Sequence, residues 1–202
     1  MGFWKKLFGP NINEVWQQLS REIGAEMVGG GWRPRKVQAH VKDWIITLDT
    51  YTVSTGKSSV TYTRMRAPYL NKDGFRFTVY RSGFFTEIGK ALGMQDVEIG
   101  QPDFDNDFVI KGNDESKLRA LFSNLEIRRH IQVQPRIYFH VKDDEGWFGA
   151  TFPEGVDELY FQVVGIIKDI ERLKSLFELF SQVLNHLCHI GSAYEDDPKL
   201  AL

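Results

Sequence analysis

Lys36-Val37-Gln38-Ala39-His40-Val41-Lys42, then Trp44-Ile45-Ile46-Thr47-Leu48-Asp49-Thr50-Tyr51-Thr52-Val53, then Ser58-Ser59-Val60-Thr61-Tyr62-Thr63-Arg64-Met65-Arg66: this stretch decides the fold. Val37, Ala39 and Val41 alternate with polar neighbours, the period of a strand packed on one side. The second piece is a long run of β-branched and aromatic residues, which fit a pleated surface. Ser54-Thr55-Gly56-Lys57 turns the chain back, and Ser58 to Arg66 is a third strand. Asn71-Lys72-Asp73-Gly74 has hairpin-turn chemistry and precedes Phe75, Phe77 and Val79. Together these predict a four-stranded antiparallel meander with one packed and one wet face.

Working outward, Ile12, Val15, Trp16, Leu19, Ile23 and Met27 fall at helical spacing. They predict a helix over 12–28, capped by Asn11 or Asn13 and ended by Gly29-Gly30-Gly31. A short helix is expected from Phe84 to Leu92 with Gly93 as its C-cap, and a short buried strand at Phe108-Val109-Ile110. Asn113 or Asp114 caps a helix through Leu118, Leu121, Phe122 and Leu125, which Ile127 and Ile131 extend or follow with a second one. Ile137, Phe139 and Val141 make a strand, and Asp143-Asp144-Glu145-Gly146 a solvated turn. Leu159 to Ile167 is apolar apart from Gln162 and Gly165, as a central strand would be. Asp169 caps the last and longest helix, Ile170 to Leu187, which Gly191 ends before a frayed acidic tail from Glu195. The class is α+β: an antiparallel sheet with helices packed on one face and a long C-terminal helix. The expectation is a single domain over 1–202, with a subdomain boundary near 93–103 and peripheral tails at 1–10 and 193–202.

At 202 residues and 42% hydrophobic composition, the chain buries roughly 70% of its unfolded surface and needs no staples. The single cysteine, Cys188, excludes an intrachain disulfide and suits a reducing compartment. No apolar run approaches the ~20 residues of a membrane-spanning helix. After Lys5 and Lys6 only Leu7 and Phe8 precede Gly9-Pro10, so no secretory leader is expected. Charge is uneven: residues 31–90 carry eleven Lys and Arg against four Asp and Glu, whereas 91–115 carry one against seven. Such segments satisfy each other, or leave a basic surface for an anionic partner.

Several local patterns imitate chemical sites. Thr55-Gly56-Lys57-Ser58 looks like the end of a phosphate-binding loop, but Tyr51 stands where that loop needs glycine, and a strand follows where it needs a helix. Ser54 and Lys57 have the Ser-x-x-Lys spacing of acyl enzymes, which works on a helical turn and not on a hairpin tip. Asp103-x-Asp105-x-Asp107 imitates the start of a calcium loop, yet Phe108 replaces its glycine and Asp114 its bidentate glutamate. Asp103, Asp105 and Asp107 are thus metal candidates on carboxylate chemistry alone. His186 and His189 share a helix face, while Cys188 points about 200° from His186, so one ion cannot take all three. Phe3-Trp4-Lys5-Lys6-Leu7-Phe8 suits peripheral membrane contact, or a terminal turn docked on the domain or a partner. Arg33, Lys36, Lys42, Arg64, Arg66 and Arg76 beside Trp32, Trp44, Tyr51, Tyr62 and Tyr80 are the residue types that bind single strands. Aromatics also simply pack sheets, and the net charge of −2 argues against nucleic acid.

Tyr62-Thr-Arg-Met-Arg-Ala-Pro68, Gly89-Lys-Ala-Leu-Gly-Met-Gln-Asp96 and Phe104-Asp-x-x-Phe-Val-Ile-x-Gly-x-Asp114 together resemble a family of uncharacterised bacterial proteins. The resemblance covers the middle third of the chain. It implies a bacterial protein that is cytoplasmic or peripheral to the inner membrane, and it brings no catalytic residue and no cofactor. The residues themselves favour a non-enzymatic binding or scaffold domain. It would act through a protein or hydrophobic-ligand interface, in a groove under the last helix, as a monomer or homodimer with an unknown partner or itself. One alternative is a hydrolase-type or metal-dependent enzyme using the acidic segment 96–114 (Asp96, Asp103, Asp105 and Asp107) with His40 or His140. Another is an adaptor on an anionic surface through the basic 31–90 half, with Phe3, Trp4, Lys5, Lys6, Arg64 and Arg66 as interaction candidates.

Overall fold

In the computed structural model, which describes residues 11–54, 56–83, 95–143 and 152–200, the period-two runs are strands of one antiparallel sheet. Nine strands lie side by side in the order β1-β2-β3-β4-β9-β8-β5-β7-β6. They are β1 (Glu26–Gly30), β2 (Arg33–Val41), β3 (Trp44–Ser54), β4 (Ser59–Asn71), β5 (Phe77–Arg81), β6 (Gln95–Asp96), β7 (Phe108–Gly112), β8 (Tyr138–Lys142) and β9 (Val156–Val164). A two-residue β10 (Ala193–Tyr194) pairs with the end of β4 beyond β3. Pairing on that side of β4 stops at Arg66 with β3 and resumes at Leu70 with β10, so the gap falls at Pro68, which has no N–H to donate. Helices α1 (Ile12–Ile23), α2 (Pro102–Asp107), α3 (Glu115–Ser123), α4 (Leu125–Gln132) and α5 (Ile170–His189) complete the α+β architecture.

The expected meander is displaced by one strand. β1 to β4 form it, and β5 is not the neighbour of β4, because β9 and β8 lie between them. The Asn71–Gly74 segment is a tight turn, as its composition predicts, but not a hairpin. Asn71 accepts from the amides of Asp73 (3.2 Å) and Gly74 (2.9 Å) and donates to Asp157 on β9 (2.5 Å). The turn therefore sends the chain past β9 instead of back along β4. The first helix is also shorter than its apolar spacing suggests. Gly24, at φ 68°, closes α1 with its N–H on the Ser20 carbonyl. Met27 then belongs to β1, and the glycine run forms the β1–β2 hairpin. Gly29 sits at a bulge with φ +88°, and a Cβ there would lie 2.2 Å from the Pro34 carbonyl oxygen. The tail is tied down where fraying is expected: Ala193 and Tyr194 pair with β4, and Glu195 bonds Lys42. Segments 1–10, 84–94 and 144–151, which include the expected 84–92 helix and most of the 143–146 turn, lie outside the described residues.

Two adjacent rows across the sheet show how the strands sort their side chains. Met27, Val37, Leu48, Met65, Phe161, Phe139, Val79 and Ile110 are paired in succession from β1 to β7, and all are apolar. One residue along each strand, the row reads Glu26, Gln38, Thr47, Arg66, Tyr160, His140, Thr78, Lys111 and Asp96. Successive residues point to opposite faces, so one face is apolar and the other polar. The helices cover the apolar face: Phe180 of α5 meets the Phe139 ring at 5.4 Å, and Phe122 of α3 meets Phe77 edge-on at 5.6 Å. The inner side of α5, from Leu173 to Leu187, is buried, so the space between helix and sheet is filled by side chains. β9 lies fifth among the nine paired strands, as its apolar composition predicts. No described helix is long and apolar enough to cross a membrane.

Phe161 is fully buried at the crossing of β4, β9 and β8, whereas Val164, on the same strand, is exposed. Phe161→Ala should cost about 3–5 kcal/mol and Val164→Ala less than about 0.5 kcal/mol, as read from urea denaturation midpoints at constant m-value.

Candidate functional site: the polar face and its rim

Strand alternation lifts Asp49 and Tyr51 from β3, Tyr62, Arg64 and Arg66 from β4, Glu158, Tyr160 and Gln162 from β9, and Tyr138, His140 and Lys142 from β8 onto the polar face. Asp49 is its hub. Arg64 grips it with two bonds, Nε at 2.8 Å and Nη2 at 2.9 Å, and Arg66 adds a third at 2.7 Å. The Arg64 guanidinium lies 4.8 Å from the Tyr51 ring centre, and Tyr51 stacks on Tyr62 at 5.1 Å. The Tyr51 and Tyr160 hydroxyls both donate to Gln162 Oε1, at 2.6 and 3.0 Å. Lys142 sits 3.9 Å over the Tyr160 ring and 3.1 Å from the buried Glu158 carboxylate. His140 packs between Tyr138 and Tyr160, with ring centres at 4.5 and 5.1 Å.

These surroundings set the proton affinities. Burial would raise the Asp49 carboxyl, but the Arg64 hydrogen bond and the charges of Arg66 and Arg64 outweigh it and hold it below its ordinary 3.8. Burial, then the Lys142 charge, pulls His140 from 6.5 down to about 3. Burial and the neighbouring Tyr51 push the Tyr160 hydroxyl well above 10. At neutral pH the face therefore holds a neutral imidazole, neutral phenols and ion-paired guanidiniums. A base with a pKa near 3 is poorly matched to proton transfer at pH 7.

The sequence candidates scatter. Asp105 accepts from the amides of Ile99 (3.0 Å) and Gln101 (2.8 Å), which builds the entry to α2. Asp107 pairs with Arg81 at 3.1 Å, and the exposed Asp103 shares the Asp107 side of the helix, opposite Asp105. Phe104 and Phe108 anchor this segment, with stacked rings 4.6 Å apart. Asp96, Glu98, Asp105, Glu115 and Arg119 line a cleft of about 480 Å³. Within it Asp96 pairs with Lys111 (3.0 Å) and Glu115 with Arg119 (2.8 Å). His140 stands three strands from Asp96, about 14 Å at the usual strand spacing, and His40 is exposed on β2. Among the described residues no group of three or more His, Cys, Asp and Glu is placed to hold a metal ion. His186 contacts the Ala120 carbonyl at 3.1 Å and the His189 ring at 5.4 Å; Cys188 is half-buried, and burial raises its thiol pKa. Phe3, Trp4, Lys5 and Lys6 lie outside the described residues. Of the basic and aromatic set, Trp44 is core, Arg64 and Arg66 serve Asp49, and Arg76 bridges Asp143 (2.7 Å) and Asp157 (3.2 Å).

The unsatisfied chemistry lies at one end of the sheet. There β2 begins, β3 ends, β4 begins and β9 ends, so the β1–β2 and β3–β4 loops and the β9 exit form one rim. Val28, Trp32, Val53, Val164 and Ile166 are exposed on it, and Trp32 is as exposed as in an extended peptide, at 104%. Arg35, Lys57 and Lys168 are exposed and Lys36 half-buried, and among the described residues their side chains form no ion pair. Residues 27–36, 50–63 and 163–168 contain no Asp or Glu.

No protein-family model, curated protein or solved structure matches the chain. Sequence reading expected a wet face and singled out Arg64 and Arg66, but it missed the side-chain network that ties this face together. Its signal was the alternation Glu158, Tyr160, Gln162 within a run that counts as apolar overall, and Asp49 within a run that counts as β-rich.

Two titrations follow. His140 has a folded pKa below its unfolded 6.5, so the unfolded chain takes the proton first. Its contribution to stability is complete above pH 6.5 and falls towards pH 3 by at most about 1.4 kcal/mol per pH unit. His140→Phe should flatten that part of the stability–pH curve, measured by urea unfolding at stepped pH. Asp49 also has a lowered folded pKa, so its contribution is full above 3.8 and lost below it. Asp49→Ala, which takes the shared carboxylate from two guanidiniums, should cost about 3–5 kcal/mol at pH 7 in the same assay.

Proposed function

We propose that the chain is a non-catalytic binding module that meets its partner through the rim of the two hairpins and the β9 exit. The observation that carries this reading is the contrast between the two regions. On the polar face Arg64, Arg66 and Lys142 are occupied by Asp49 and Glu158, whereas Trp32 on the rim touches solvent on all sides. Trp, with Tyr and Arg, is enriched among the residues that anchor protein interfaces. The hairpin is built to hold it out. Gly30 pairs with Arg33, which leaves Gly31-Trp32 as a two-residue loop with Gly31 at φ +63°, the left-handed position that a primed turn needs. Lys57 projects from the neighbouring hairpin without a partner of its own among the described residues.

Trp32→Ala removes no buried contact and should shift folding stability by less than about 0.5 kcal/mol. Immobilised wild-type chain should retain material from either the membrane or the soluble fraction of a cell extract. Trp32→Ala should retain at least about tenfold less, as expected of a Trp anchor. Equal retention by both proteins would exclude the rim as the contact surface.

A further inference from the structure

We infer that the surface this rim meets is the anionic face of a lipid bilayer, an inference that rests on the reading just given. The sign of the charge is the first argument. A protein partner of ordinary composition presents both signs and is met by both. The rim's three segments expose Arg35, Lys57 and Lys168 and contain no Asp or Glu; the nearest acids are Asp169, which follows Lys168, and Glu14, which lines a cleft with Arg35. Elsewhere in the basic half Arg76 is matched with Asp143 and Asp157, Arg81 with Asp107 and Lys42 with Glu195, while Lys72 lies over the Tyr194 ring. Uncompensated positive charge beside exposed apolar side chains is what a bilayer rich in anionic lipid attracts.

Shape is the second argument. A stable protein interface buries about 800 Å² on each side around a continuous apolar centre. Here Trp32 stands on the β1–β2 loop, Val53 lies near the end of β3 opposite Val60, and Val164 ends β9. Separate side chains at loop ends fit the headgroup layer, where an indole finds an apolar side and a wet side together. The free edge of β1 is a poor site for an added strand, because it is five residues long and bulged between Val28 and Gly30. Nucleic acid shares the sign, but it binds through open aromatic platforms. Tyr51 and Tyr62 are stacked on each other, with Arg64 against the Tyr51 ring, and of the exposed apolar groups on the rim Trp32 alone is aromatic, the others being Val28, Val53, Val164 and Ile166.

The test is co-sedimentation of the full chain with neutral phosphatidylcholine vesicles and with vesicles that also contain phosphatidylglycerol, at low and moderate salt. Binding to the anionic vesicles alone, weakened by salt, is expected. Lys57→Glu and Lys168→Glu should each lower the affinity about fivefold or more, and Trp32→Ala should lower it further, all with unchanged thermal unfolding. If wild-type chain binds neither vesicle, or a single-stranded oligonucleotide binds in their place, the bilayer assignment fails. Trp32-dependent retention from the soluble fraction would then leave the rim reading standing. Vesicle binding indifferent to Trp32, Lys57 and Lys168 would overturn both.

Discussion

β9 pairs with β4 from Val156 to Val163 and with β8 from Glu158 to Phe161, and the register of these two ladders is the constraint on which the remainder of the structure rests. Side chains leave a strand with a period of two, so a slip of one residue would exchange the two faces. Leu159, Phe161 and Val163 would turn outward, and Glu158, Tyr160 and Gln162 would enter a core of phenylalanine and leucine. Burying those polar groups without their partners costs several kcal/mol. Both faces enforce the register, because each alternative breaks the apolar row and the Asp49 and Gln162 networks together.

The polar face is as specific as the core. Three charge-assisted bonds converge on Asp49, from two arginines two residues apart on β4. Alternation places Arg64 and Arg66 on the same side, and pairing places them beside β3. Buried ion pairs of this kind contribute little net stability compared with a well-packed apolar substitute. They do fix which strand lies beside which, because a carboxylate without its guanidiniums is costly. Fixing the arginines on Asp49 also commits their charge to the sheet, whereas Arg35, Lys57 and Lys168 on the rim face outward.

Much of the fold was legible because its signals are local. Asn11, Asp114 and Asp169 each cap the helix that follows, and the 54–57 turn closes the hairpin between β3 and β4. What failed was non-local. Asn71-Lys72-Asp73-Gly74 makes the tight turn its residues favour, but Asn71 also bonds Asp157, which is 86 positions later. No pattern near Asn71 announces that partner. Apolar spacing carried the first helix on to Met27, because Met27 has the right phase for helix and strand alike; Gly24 was the breaker that decided. The polar face was hidden in a similar way. Arg64 and Arg66 stood out as cations, but their mate Asp49 is one acid in a run of threonine, isoleucine and tyrosine. The rim is an assembly of three separate segments, and no one of them is distinctive alone.

The strand order also has a consequence during synthesis. As the chain leaves the ribosome from its N-terminus, β1 to β4 can close as a meander at once. The outer edge of β4, however, waits for β9, which begins at Val156, 85 positions after β4 ends at Asn71. At 5–20 residues per second, that edge stays open on the order of ten seconds. β5 and β7 are made in the interval and cannot dock on the meander, because the strands that join them to it come later. A nascent chain of this protein therefore passes through a stage with an unsheltered backbone edge next to Met65, Ala67 and Tyr69, when chaperone capture or pairing with a neighbouring nascent chain competes with completion of the sheet.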